Sequence, residues 1–357
     1  MMETIILTAR DIRKIVQRVG INRLMQEMIV QLTTAFETFD SETIVIPERS
    51  GFSYSLPQQG LIEWMPAMRS GQQVTNKVVG YHPANPQLHN LPTIISTVSA
   101  YDTATGHLTG LADATFLTAL RTGAASAVAS RVLAAQDSSV IGLIGAGAQA
   151  LTQLHALTQV FEIDQVLVYD RDTAVSRGFL SRAAFMNLEI MPVGIDHLPK
   201  LIQTADIICT ATSIDVGAGP AFADTDVQPW LHINAVGSDF PGKFEIPVSL
   251  LRRSLVCPDF REQAIKEGEC QQLAPHEIGP TLVELLREPT LYPDAQHRLT
   301  IFDSTGWALE DQVAMQLLLD YACDFDLGTT LELECIGDDV RNPYSFVLED
   351  VSQLISE

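Results

Sequence analysis

The chain has 357 residues, of which 46% are hydrophobic and 18% charged, and carries a formal net charge of −22. That length allows about two domains with a large core. So acidic a balance argues against nucleic acid or an anionic membrane as partner, since both need a basic footprint, but it leaves a small substrate open because local fields can oppose the global sign.

Residues 9–40 carry helical spacing, with Ile12, Ile15, Val16, Val19, Ile21, Leu24, Met25, Met28, Ile29 and Leu32 recurring at three- and four-residue steps. From Thr43 to Ser99 the pattern changes to short runs separated by Gly, Pro and Asn. Thr43–Ile46, Leu61–Met65, Val74–Val79 and Thr93–Ala100 are expected as antiparallel strands, and Leu108–Ala112 as one more. The Ala- and Leu-rich segment 114–135 predicts a long helix. From Ser139 to about Asp311 strands and helices alternate, with strands expected at 140–144, 166–169, 189–193, 207–210, 232–236, 254–256 and 299–302. Such alternation predicts a parallel, doubly wound sheet. Residues 308–321 read as a helix returning toward the first half, and the tail folds back on it. The expected fold is α/β, a doubly wound Rossmann domain at 131–319 plus an α+β substrate and dimerisation domain built from both chain ends, 1–130 and 320–357.

Five cysteines (Cys209, Cys257, Cys270, Cys323, Cys335) are odd in number and lack C-x-x-C spacing. They read as reduced thiols in a cytoplasmic protein. Glu3, Arg10, Asp11, Arg13 and Lys14 come before any long apolar run, so no signal peptide is expected. No run of about 18 apolar residues is present to cross a membrane.

The most informative stretch is the turn Gly145-Ala146-Gly147-Ala148-Gln149-Ala150. An apolar run precedes it and a helical stretch, 151–160, follows. A second apolar run, Val166–Tyr169, ends in Asp170. Strand, glycine turn, helix, strand and acid together are the dinucleotide-binding fingerprint. Gly145 permits the tight turn, Gly147 admits a pyrophosphate, and the helix N-terminus offers free N–H groups. Asp170 suits the ribose hydroxyls of NAD and would repel the 2′-phosphate of NADP.

Several charged residues stand in apolar company. Arg121 interrupts a small-residue helix, and a buried charge there must be paired. It forms either an internal salt bridge, for example with Glu48 or Asp113, or a clamp for a carboxylate. Arg49 and Lys77 pose the same choice. Glu63 either binds a substrate amine or serves as counter-ion to Lys77 or Arg49. A second stretch, Asn234–Lys243, lies at the end of an expected parallel strand, where open α/β sheets place ligands. Gly237 allows a flat ring to approach, and Asp239 is either an acid/base or a turn-stabilising residue. The eight histidines form no H-E-x-x-H, no Cys/His spacing suits zinc, and neither a G-x-S-x-G elbow nor a P-loop is present, so no metal is expected.

In order along the chain, Lys77 with Gly80–Asn85, Leu117–Thr122, Gly145–Ala150, Asn234–Lys243, Glu267-Gly268-Glu269 and Phe302–Asp311 resemble the ornithine cyclodeaminase/μ-crystallin family over nearly the whole length. The His-Pro-Ala-Asn, Ser-Asp-x-Pro-Gly-Lys and Gly-Glu-Cys-Gln-Gln-Leu runs are most similar to its bacterial ornithine cyclodeaminase branch. The loop between Arg49 and Glu63 and the stretch Ser213–Pro220 depart from the pattern.

The resemblance implies an NAD-dependent ammonia-lyase, converting L-ornithine to L-proline and ammonia with NAD recycled, and a homodimer joined through the substrate-domain sheets. It implies Arg49, Lys77 and Arg121 as holders of the α-carboxylate, Asp239 as acid/base and Glu63 as a guide for an amino group. Thr93, Ser304 and Thr305 match cofactor positions, beside Gly145, Ala146, Gly147, Ala148, Gln149, Asp170, Val236 and Gly237. The alternatives are an imine reductase or amino-acid dehydrogenase, a lysine cyclodeaminase, and a non-enzymatic binding protein of the μ-crystallin kind.

Overall fold

A computed structural model of the chain describes residues 3–347. The first half comprises strands β1 (Thr4–Leu7), β2 (Ile44–Val45), β3 (Ser50–Tyr54), β4 (Gly60–Arg69), β5 (Gln73–Tyr81), β6 (Ile94–Asp102) and β7 (Leu108–Asp113), with helices α1 (Ala9–Val19), α2 (Ile21–Glu37), α3 (Asn85–Leu88) and α4 (Thr115–Leu133). The helical spacing of 9–40 resolves into α1 and α2, which part at Gly20, where φ is +87°.

The second half holds β8 (Val140–Ile144), β9 (Gln165–Tyr169), β10 (Ile190–Val193), β11 (Ile207–Thr210), β12 (His232–Ala235), β13 (Leu255–Pro258) and β14 (Thr300–Asp303). Its helices are α5 (Ala148–Leu157), α6 (Thr173–Ala183), α7 (Leu198–Thr204), α8 (Val248–Arg252), α9 (Arg261–Glu267) and α10 (Leu282–Arg287). The returning helix α11 (Ala308–Phe325) and a last strand, β15 (Thr329–Leu331), complete the described chain.

Two sheets result. One has eight strands in the order β15-β1-β7-β6-β5-β4-β2, with β3 also paired to β4. Its strands are antiparallel except that β1 runs parallel to β7, a departure from the all-antiparallel expectation. The other has seven strands, β10-β9-β8-β11-β12-β14-β13, all parallel. Strand order reverses direction between β8 and β11, the switch point at which such sheets open a crevice at their C-terminal ends.

Helix α4 touches β6 of one sheet and β12 and β14 of the other, so it is the wall the two lobes share. Its residues from Leu120 to Ser130 are all buried. Helix α11 packs on α1, α2, α4 and strands β4, β5 and β6. The boundary expected after residue 319 therefore falls inside one helix whose contacts lie with the first lobe. The chain end does return, since β15 pairs with β1, while residues 348–357 of the expected 320–357 segment lie outside the described residues. Among the described residues no helix is long and apolar enough to cross a membrane, and all five cysteines are free thiols.

Candidate active site

The glycine turn leaves β8 at Gly145. Its φ of +92° favours glycine, and a Cβ there would sit 2.5 Å from the Ala211 carbonyl oxygen. Gly147 caps α5 with no side-chain hydrogen bond to its first turn, so those N–H groups stay available. A Cβ added at Gly147 would meet nothing within 4 Å. Ala146 and Ala150 are fully buried against the sheet. Asp170, just past β9, accepts hydrogen bonds from the N–H groups of Ala146 and Asp172, both at 2.9 Å, and so lies against the turn.

Two buried hydroxyls near the strand ends, Thr212 Oγ1 and Ser304 Oγ, have no hydrogen-bond partner. Open space beside Gly147, free N–H groups and unpartnered hydroxyls fit a dinucleotide: the turn would hold its pyrophosphate and Asp170 its ribose.

A cavity of about 500 Å³ opens beside this turn, between the two sheets. Arg49, Glu63 and Lys77 reach it from the first lobe, Arg121 from α4, and Gln149, Val236, Asp239, Ser304 and Thr305 from the second. Thr93, Gly145, Ala146, Gly147, Ala148, Asp170 and Gly237 do not line it. The carbonyl of Thr93 accepts the His82 N–H at 2.8 Å.

The cations are paired with acids. Lys77 Nζ lies 2.7 Å from Asp311 Oδ2, Arg121 Nε 3.1 Å from Asp311 Oδ1, and Arg121 Nη1 2.6 Å from Glu310. Both acids stand in the first turn of α11, so Glu48 and Asp113, the partners suggested by sequence, are not the ones Arg121 takes. Glu48 pairs with Lys266 instead. Arg49 binds Glu267 and donates to the Thr305 carbonyl at 3.1 Å, with Glu63 3.8 Å away. Glu63 is thus counter-ion to Arg49 rather than to Lys77. Asp239 accepts from Lys243 Nζ at 2.8 Å, and its side chain remains 35% exposed. The Lys243 ammonium also sits over the Tyr81 ring, 5.3 Å from its centre.

Burial, with Arg121 close by, brings the Lys77 ammonium down to about 8. Burial pushes the Glu310 carboxyl up to about 8 and that of Glu267 up to about 7, and it raises Glu63 as well. These acids are poorly solvated as anions, and it is the cations beside them that favour their charged form.

Sequence reasoning gave no role to Glu267, Glu310, Asp311 or Lys243, although all four lie in the runs that carry the family resemblance. Charge balance was the available signal, since buried cations require buried acids. Among the described residues no cluster of His, Cys, Asp or Glu is arranged to hold a metal ion.

An open parallel sheet with a dinucleotide turn, facing a cavity of paired cations and acids, is the architecture of a nicotinamide-dependent enzyme. The chain belongs to the ornithine cyclodeaminase/mu-crystallin family, whose model matches residues 10–324. It is 41% identical over 345 residues to the L-lysine cyclodeaminase of Streptomyces rapamycinicus, covering 96% of this chain and 100% of that one. A solved structure describing recognition of L-lysine, L-ornithine and L-2,4-diaminobutyric acid by lysine cyclodeaminase superposes with a TM-score of 0.93 at 46% identity, covering 97% of this chain and 100% of that one. An archaeal alanine dehydrogenase dimer with bound NAD superposes with a TM-score of 0.80 at 28% identity, covering 93% and 100%. NAD is the cofactor.

Gly147→Val should leave the fold intact, because a Cβ there meets open space, and should weaken NAD binding at least about thirtyfold by crowding the turn that would hold the pyrophosphate. Isothermal titration with NAD, beside a melting curve, checks both halves. A second expectation follows from Glu267. Its folded pKa, about 7, lies above the ordinary 4.5, so the native state holds the extra proton between those values. Its contribution to stability is therefore present at low pH and lost as pH rises through that window. The stability of wild type relative to Glu267→Gln should fall between pH 4.5 and 7 and stay level above it, as read from paired denaturant titrations.

Proposed function

We propose that the chain is an NAD-dependent cyclodeaminase of α,ω-diamino acids, closing L-lysine to L-pipecolate or L-ornithine to L-proline with release of ammonia. The observation that carries this reading is the convergence of Arg49, Lys77 and Arg121 with Asp239 and Glu63 in one cavity at the open ends of the cofactor sheet. The ornithine expected from sequence and the lysine named for a 41% identical relative share this chemistry and differ by one methylene. An apolar wall separates such a pair by only about 1–3 kcal/mol, so activity on both is expected.

Arg49, Lys77 and Arg121 hold the α-carboxylate, which fixes Cα in one orientation. Gly145, Ala146, Gly147, Ala148 and Gln149 would hold the cofactor pyrophosphate and Asp170 its ribose, while Val236, Gly237, Thr93, Ser304 and Thr305 would serve its nicotinamide end. Bound NAD supplies a reversible hydride acceptor at Cα, so the net reaction is redox-neutral. Asp239 takes the proton from the ω-amine as that nitrogen joins Cα and gives one to the departing α-nitrogen, which leaves as ammonia. Lys243 holds the Asp239 carboxylate in place, and Glu63 orients an amino group.

The active unit in this reading is a cytoplasmic homodimer joined through the first sheet, whose outer face exposes Phe52, Ile62, Val78 and Ile95.

Purified protein given L-lysine or L-ornithine with catalytic NAD should yield cyclic imino acid and ammonia in equal amounts, with no lasting change at the NADH absorbance band. Stoichiometric NADH accumulation would instead assign a dehydrogenase. Asp239→Asn should lower kcat at least about a hundredfold while leaving the NAD Kd unchanged. Wild-type turnover in that variant would remove Asp239 from the chemistry.

A further inference from the structure

The C-terminal rim of the parallel sheet carries buried carboxylates whose oxygens accept mainly from backbone N–H groups, with the Lys243 ammonium near Glu245 but not paired with it. Asp303, the last residue of β14, accepts from the N–H groups of Glu269 and Cys270, both at 2.8 Å. Glu269 in turn accepts from the N–H groups of Glu245 at 2.7 Å and Ile246 at 3.2 Å. Glu245 accepts from Thr210 Oγ1 at 2.6 Å, the Thr212 N–H at 2.6 Å and the Gly237 N–H at 2.9 Å. Each acid thus grips the backbone of the next, and the last one ties the loop after β11 to the loop after β12. Asp303, Glu269 and Glu245 are all 0% exposed, and none has an ion-pair partner among the described residues.

Carboxylates buried without a cation are costly unless several donors satisfy them. Glu245 has three such donors, two of them backbone N–H groups bordering the cofactor crevice. Its approach is so close that a Cβ on Gly237 would collide with the Glu245 carboxylate. Thr212 sits beside the glycine turn, since a Cβ on Gly145 would lie 3.2 Å from its nitrogen, and its hydroxyl is among the buried ones left without a hydrogen-bond partner. Neighbours of both gripped residues, Ile214 and Val236, line the cavity, whereas Glu245 does not.

We propose that Asp303, Glu269 and Glu245 form a positioning relay whose last member fixes Thr212 and Gly237 for the dinucleotide, so that Glu245 sets cofactor affinity without touching the amino acid. The inference rests on reading Gly147 and Gly237 as cofactor contacts. In Glu245→Gln the side chain keeps its size, but an NH₂ group replaces one acceptor and faces an N–H or O–H that can no longer be satisfied as before.

The test is calorimetric titration of the full chain with NAD, together with the amino-acid KM measured at saturating NAD. Glu245→Gln should raise the NAD Kd about tenfold or more and leave the amino-acid KM within about twofold. Thr210→Val removes one of the three donors and keeps the acid, and should raise the Kd about threefold. It carries the test if Glu245→Gln does not fold. An unchanged NAD Kd in the folded variants overturns the relay, and so does a parallel rise in Kd and amino-acid KM, which a general loosening would produce. Gly147→Val separates the two levels. Its retention of normal NAD affinity would overturn the cofactor-site reading itself, whereas loss there beside an unchanged Glu245→Gln overturns only the relay.

Discussion

Lys77 on β5 and Arg121 on α4 are buried side by side and share one carboxylate, Asp311, at the start of α11. Two like charges out of water repel, and neither could stay there without an anion within contact distance. That requirement holds the first turn of α11 against α4 and β5, although the helix follows β14, the strand of the other sheet that comes last in the chain. Lys77 and Arg121 of this cluster line the cavity between the lobes. Arg49, Glu267 and Glu63 repeat the arrangement on the neighbouring side, with acids from both lobes.

The two ends of the cavity differ in kind. At the cation end, charges neutralise one another, Lys77 and Arg121 against the start of α11 and Arg49 against Glu267 of the other lobe. At the rim of the parallel sheet, acids satisfy themselves with backbone N–H groups and hold loops of a single lobe. The first kind sets its cations on the cavity wall. The second is bound to backbone, and removing one of its carboxylates would strand several buried donors at once.

Most of the second sheet was legible in the sequence because its strands, buried on both faces, stand out as short apolar runs between turn residues. The glycine turn and Asp170 were legible because their spacing reports a backbone geometry. β3 was not: Ser50–Tyr54 has no alternation of apolar and polar residues, and its pairing with β4 defines it. β1 was hidden by brevity, and only its partners β7 and β15, distant in sequence, make it a strand. In the site, the cations could be found because a charge in an apolar helix is conspicuous. Their acids could not be assigned, since Glu310 and Asp311 look like ordinary first-turn helix residues until α11 is placed against α4.

Asp170 has a double attachment that bears on any attempt to exchange the cofactor. One oxygen is tied to the Ala146 N–H inside the glycine turn and the other to the Asp172 N–H that opens α6. A redesign that trades this acid for a neutral or basic side chain, to welcome a phosphorylated adenosine, would also cut the tether between the second strand's end and the loop below it. Changing the selectivity of this enzyme therefore calls for at least a pair of edits, one to admit the new phosphate and one to restrain the loop that the old side chain had been anchoring.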